Sequence, residues 1–324
     1  MVENANSKMP STFAETVRLV EKYVLTEIER ETAKKQLYYH TVAHALAVKR
    51  RANFIFQALE PVLKQETHLF DFGRSKHLLD LCAIAHDMVQ NFVESTKLHS
   101  PRKRPVGVSE RATTAKLIRY IRDLNQKVNY SVGFTSADLS TIEESIAATI
   151  CDRDPLAGKT NYSFSKHSIY QPYLYNSEQN SIVAQIIALA DLGTLGIDGI
   201  ESYLREGVLI LLEDNPDLVE LVLYRDGTYL TTNSKRITTI RLLNMTRFMV
   251  DLARERYTRF PQEIIGFSDR AKQILQDRVF KNLTLENVRE IERLTPTSTD
   301  SSLAELLDFF SEKLNGESLQ TTKK

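Results

Sequence analysis

Apolar residues recur at spacings of three and four along most of this chain, and strict alternation is rare. That period belongs to helices with one buried face rather than to strands. Only 11 glycines and 9 prolines interrupt 324 residues, so the punctuation that many short strands require is missing. The pattern therefore predicts an all-α fold. A first amphipathic helix is expected over Phe13–Lys35, with Val17, Val20, Val24, Leu25 and Ile28 on its apolar stripe. A second runs from Tyr39 to Leu59 and stops at Pro61, and a third runs from Ser75 to Val89. Ser109 is expected to cap a fourth helix that ends near Asn125, and Ser136 a fifth over Ala137–Asp152. After an irregular stretch at 153–176 come helices over 177–195 and 199–212. In "DNPDLVELVLYRDG", Asn215, Pro216 and Gly227 suit the cap, first turn and end of another helix; a hairpin turning on Asp226-Gly227 is the competing reading. A long amphipathic helix covers 234–258, shorter helices follow from 262, and "TPTSTDSS" at 295–302 links to a last helix over 302–314. The expected organisation is a disordered start at 1–12, a helical core at 13–225, a C-terminal helical region at 226–315 packing on that core, and a disordered tail at 316–324.

Charge excludes several partners. Lys and Arg number 42 and so do Asp and Glu, so no global field points to a nucleic-acid polymer or a membrane surface. No apolar run approaches the length of about 18 residues that spans a bilayer, and "MVENANSKMPSTF" lacks a signal-peptide core. Cys82 and Cys151 are too few for a disulfide framework, and both sit in apolar helical contexts that suggest core packing. A cytoplasmic protein is the expectation.

Three short stretches carry the chemistry. His40 and His44, in "YYHTVAHALAV", lie four residues apart and share one helical face. His86 and Asp87 are adjacent within "LCAIAHDMVQNF", an apolar setting in which a charged carboxylate is costly unless paired or bound to a metal. Helical neighbours point about 100° apart, so both reach one ion only at a junction between helices; a surface pair is the alternative. Asp191 lies among Ile186, Ile187, Leu189, Leu192 and Leu195, either as a ligand or as a cap of the Gly193 turn. A divalent cation held by His, His, Asp and Asp removes the burial cost of both carboxylates at once.

This order of motifs resembles the HD-domain superfamily of metal-dependent phosphohydrolases over roughly residues 36–200. "YHTVAH" is similar to the Tyr-His-Asn-x-x-His form of the first motif, with Thr41 where asparagine is usual. "AIAHDM" resembles the name-giving motif. "ALADLGTLG" is similar to the last motif of one branch of small HD phosphohydrolases, and "VSERATTAKLI" resembles a helix start of that branch. The resemblance implies an HD-type helical bundle with a C-terminal helical extension. It implies His44, His86, Asp87 and Asp191 as metal ligands and His40 as general acid or phosphate donor, with the two histidines' roles exchanged if the first motif is read the other way. Glu110 is left between orienting a ligand histidine, binding a second ion and capping its helix. Members with two metals carry extra histidines in the interval that here holds only His99 and His167, which argues against a second tightly held ion and against a di-iron oxygenase.

The activity implied is hydrolysis of a phosphate ester of a small metabolite, foremost a nucleotide, by a metal-activated water. Asp191 or Asp87 would take the water's proton and His40 would donate to the leaving oxygen. The donor set suits Mn, Fe, Ni, Co or Zn, with Mg also admitted. The basic loop at 94–109, with Arg102, Lys103 and Arg104, is either a solvated loop or a cover over the phosphate. A cyclic or dinucleotide phosphodiesterase, and a nucleotide sensor without turnover, are the competing functions. The partner is expected to be a phosphorylated small molecule, with a homodimer left open.

Overall fold

A computed structural model describes residues 9–66, 71–93, 99–153, 169–175 and 181–314. Residues 1–8 and 316–324 of the termini expected to be disordered, His167, and most of the irregular stretch at 153–176 lie outside the described residues, whereas residues 9–12 are described and Thr12 caps the first helix. Thirteen α-helices, three short 3-10 turns, one π turn and one two-residue strand pair make up the regular structure among the described residues, so the fold is all-α. They are α1 (Phe13–Lys35), α2 (Val42–Glu66), α3 (Phe72–Ala85), α4 (Val108–Asn125), α5 (Ser136–Ala147), α6 (Ile182–Asp191), α7 (Thr194–Asp198), α8 (Ile200–Asp214), α9 (Val219–Tyr224), α10 (Thr232–Glu263), α11 (Asp269–Ile274), α12 (Leu285–Leu294) and α13 (Leu303–Leu314). Strands β1 (Asp152–Arg153) and β2 (Ile169–Tyr170) pair antiparallel.

Local chemistry explains where several helices start. Thr12 accepts the Glu15 N–H to open α1, which ends at Gln36 in the left-handed region. Asp71 opens α3 by accepting from Arg74 N–H. Thr135 rather than Ser136 caps α5, in a capping box with Asp138 whose carboxylate also takes the Arg74 guanidinium.

Other boundaries follow from packing. Pro61 does not end α2 but lies inside it. Interior proline costs about 3 kcal/mol, and the turn beyond it buries Val62 and Leu63, each worth about 1.5–3 kcal/mol. Ser109 does not cap α4: Gly107, at φ 69°, precedes the helix, and Ser109 Oγ instead accepts from Asn91 N–H at 2.9 Å. The expected helix over 177–195 is broken at Leu192–Gly193, where a Cβ on Gly193 would stand 2.9 Å from the Leu189 carbonyl oxygen. The hairpin reading of 215–227 fails, because Pro216–Leu218 form a short 3-10 turn that leads into α9.

Two apolar cores result. The first is built by α1, α2, α3, α4, α5 and α6, and it takes in Phe260, Phe267, Leu275 and Phe280 from beyond the middle of α10. The second joins α8, α9, the Leu242–Ala253 stretch of α10, α12 and α13. Gly196 marks a close approach, since a Cβ there would run into the Phe280 ring. The functional residues gather where α2, α3 and α6 pack together, with the end of α8 reaching across.

Candidate metal centre

His44 stands in the first turn of α2, while His40 precedes that helix on the connection from α1. Helix α3 ends at Ala85, so His86 and Asp87 are at its C-terminal end rather than at its heart. That placement is what lets two adjacent residues act together, because the chain turns there and both side chains meet one point. Asp191 is the last residue of α6. Three helix ends therefore deliver four donors that lie within 4.8 Å of one another: one ring nitrogen each of His44 and His86 and one oxygen each of Asp87 and Asp191.

The separations fit a single cation. His86 Nε2 is 2.9 Å from Asp87 Oδ2 and 3.4 Å from Asp191 Oδ1. His44 Nε2 is 3.4 Å from His86 Nε2, 3.4 Å from Asp87 Oδ2 and 3.8 Å from Asp191 Oδ1. Donors about 2.1 Å from one ion are about 3.0 Å apart at right angles and about 3.4 Å apart in a tetrahedron. The donor types, nitrogen and carboxylate oxygen, suit a borderline divalent metal.

The surroundings aim each donor at the shared point. His86 Nδ1 donates to the Ala83 carbonyl at 3.0 Å, which leaves the Nε2 lone pair for the centre. Asp87 Oδ1 accepts from Gln90 Nε2 at 2.9 Å, so its other oxygen faces the ion site. Asp191 Oδ2 accepts from Gln171 Nε2 at 3.1 Å, with the same consequence. Both glutamines are buried. Helix α10 supports this arrangement, for Arg259 Nη1 donates at 2.5 Å to the carbonyl of Ile169 on β2, two residues before Gln171. The His44 ring packs 4.2 Å from the Tyr39 ring, and its Nδ1 has no hydrogen-bond partner among the described residues.

The electrostatics are those of a site built around positive charge. Burial opposes charge on His86, yet the Asp87 and Asp191 carboxylates outweigh it and hold the imidazole well above its usual range. Burial pushes the Asp87 carboxyl up, and His86 and His40 overcome that to hold it well below the carboxylate range. Glu110, in the first turn of α4, is raised by burial and by repulsion from Asp87 and Asp191. It faces the centre electrostatically but is not one of the four convergent donors. His99 lies away from the centre, 4.0 Å from Asp217.

His40 is held by a residue from far along the chain. Its Nδ1 meets Glu213 Oε1 at the end of α8. The other oxygen of Glu213 accepts the backbone N–H groups of Tyr38, Tyr39 and His40 at 3.0, 2.9 and 3.1 Å. Burial raises this carboxyl, but His40, Arg104 and the backbone donors bring it down to about 2. His40 Nε2 then points to the site, 3.5 Å from Asp87 Oδ2 and 3.0 Å from Arg104 Nη1.

The basic loop separates by role. Arg102 donates to the carbonyls of Glu213, Lys35 and Gln36. Lys103 is exposed, and Arg104 reaches the centre. Of the two cysteines, Cys82 is a core residue whose thiol burial pushes up to about 12. Cys151 is only half-buried, with burial and then Asp191 and Glu110 raising its thiol.

Glu213, Gln90 and Gln171 are the functional neighbours that sequence reasoning does not name. Gln90 had a signal, since it follows Asp87 by three residues in the same apolar stretch. Glu213 and Gln171 had none, because their contacts are long-range.

A comparison with protein-family models, curated proteins and solved structures returned no match. Fold and site alone define an all-α protein with a His/Asp cluster able to hold a metal ion, compatible with an HD-type centre. No helix among the described residues is long and apolar enough to cross a membrane.

Proposed function

We propose that this chain is a metal-dependent phosphohydrolase of the HD type, which cleaves a phosphate ester of a small metabolite, foremost a nucleotide. The observation that carries the reading is the convergence of His44, His86, Asp87 and Asp191 on one point, with His40 beside it. His44, His86, Asp87 and Asp191 would hold the ion. A divalent ion in such a set lowers the pKa of water and polarises a phosphoryl oxygen; Mn, Fe, Ni, Co and Zn all suit these ligands, and Mg is admitted.

The chain's own groups supply the proton transfers. Asp191 or Asp87 takes a proton from the attacking water as its oxygen bonds to phosphorus. His40 gives a proton from Nε2 to the ester oxygen as the phosphorus–oxygen bond breaks, which releases phosphate and an alcohol. Glu213 fixes the His40 ring by holding Nδ1, so Nε2 is the atom that exchanges protons.

The test is a panel of phosphate mono- and diesters, including nucleotides and cyclic nucleotides, with metal-loaded wild type and His40→Ala. The expected result is metal-dependent turnover that falls about 10²–10⁴-fold in His40→Ala, with metal content retained. Metal-loaded wild type that turns over no ester on the panel would refute the enzyme reading and leave a metal-dependent nucleotide sensor.

A further inference from the structure

Arg104 differs from the carboxylate-paired arginines Arg74 and Arg241 in the contacts it makes. Arg74 holds Asp138 with two nitrogens, at 2.7 and 2.5 Å. Arg241 holds Asp217 likewise, at 2.6 and 2.8 Å. Such paired contacts are what a guanidinium makes when a carboxylate is its intended partner. Arg104 has one longer contact to a carboxylate, Asp214 Oδ2 at 3.3 Å, and one to a ring nitrogen, His40 Nε2 at 3.0 Å. Its side chain is 26% exposed, and the His40 nitrogen it contacts is also 3.5 Å from the partly open Asp87 carboxylate.

The fold builds this placement. Lys103 pairs with Val93, N–H to carbonyl in both directions, so this stretch is extended and successive side chains alternate in direction. Arg102 consumes its donors on three backbone carbonyls, its guanidinium lies 4.0 Å from the Phe92 ring centroid, and its N–H donates to the Asp214 carbonyl. Lys103 is exposed. Arg104, two residues from Arg102, arrives beside His40 with the preceding two residues anchoring its backbone.

We propose that Arg104 is the anion-recognition residue of the centre and grips a free oxygen of the phosphoryl group whose ester oxygen faces His40. This rests on the phosphate-directed reading of the same site and assigns its specificity to one of the three basic loop residues. Arg102 is then the clamp that shapes the loop, and Lys103 takes no part. A planar guanidinium next to the proton-donating ring holds a tetrahedral oxyanion in one orientation, which a mobile ammonium does less well.

The experiment titrates inorganic phosphate by calorimetry into manganese-loaded full-length protein. Wild type, Arg104→Gln, Arg104→Lys and Lys103→Gln are compared, with metal content measured on each. Arg104→Gln is expected to bind phosphate about tenfold to hundredfold more weakly, with Arg104→Lys between it and wild type. Lys103→Gln is expected to match wild type, and all four proteins to carry the same metal. Unchanged affinity in Arg104→Gln, equal weakening in Arg104→Gln and Lys103→Gln, or no phosphate binding by loaded wild type would each overturn the proposal. Its failure is separable from that of the hydrolase reading. Ester turnover with wild-type phosphate affinity in Arg104→Gln removes only the proposal, whereas Arg104-dependent phosphate binding without turnover removes only the enzyme.

Discussion

Replacing Glu213 by glutamine should destabilise the protein in a way that fades with acid. The wild-type carboxyl is fully buried and falls from its ordinary 4.5 to about 2. That difference corresponds to about 3 kcal/mol of stability from the ionised group. The folded-state pKa is the lower one, so this stability is present in full above pH 4.5 and is lost as the pH falls towards 2. At pH 3 the same two values leave about 1.4 kcal/mol. Glu213→Gln removes the charge while keeping the shape. Its deficit relative to wild type, measured by urea unfolding, should therefore be about 3 kcal/mol at pH 6 and about 2 kcal/mol smaller at pH 3. The other carboxylates titrate in both proteins and cancel in the difference. A deficit that stays constant from pH 6 to pH 3 would refute the claim that the ionised carboxylate anchors the Tyr38–His40 turn.

Three further outcomes follow from named contacts. Gln171→Leu should lower metal affinity about 10–100-fold while the protein stays folded, because Asp191 loses the donor that turns its Oδ1 inward; a competition titration with a metal-sensitive dye would read this, and unchanged affinity would count against the role. Gly196→Ala should cost about 1–3 kcal/mol, since the added methyl meets the Phe280 ring; its thermal midpoint against wild type is the check. Arg51→Met should cost about 3–5 kcal/mol by leaving the half-buried Asp198 and Glu206 without their shared cation, and a stability equal to wild type would show that those carboxylates find other partners.

Much of this architecture was legible in the sequence, and the reasons are local. Helix α1 is bounded as expected because Thr12 caps it and its valine stripe has one uninterrupted period. The four convergent side chains could be named because each stretch sets a polar group among apolar residues, where burial is costly unless the group binds something. Pro61 reads as a helix end because proline's local cost is visible in the sequence, whereas the burial of Val62 and Leu63 beyond it is not. Ser109 reads as a cap but its hydroxyl serves Asn91 on another segment, a contact that local sequence does not carry. Glu213 was hidden because its bonds to Tyr38–His40 cross more than 170 residues of chain. Gln171 was hidden in a stretch without periodicity. The candidate ligands are thus sequence-readable, whereas the residues that aim them depend on tertiary packing.

Everything proposed for this protein depends on His44, His86, Asp87 and Asp191 holding a metal together. The decisive measurement is metal content by mass spectrometry on purified wild type beside Asp87→Ala. About one transition-metal ion per chain is expected in wild type, lost in Asp87→Ala while circular dichroism shows the helices intact. No metal in wild type even after manganese, iron or zinc is supplied, or equal metal in both proteins, would show that these four residues do not form a metal centre.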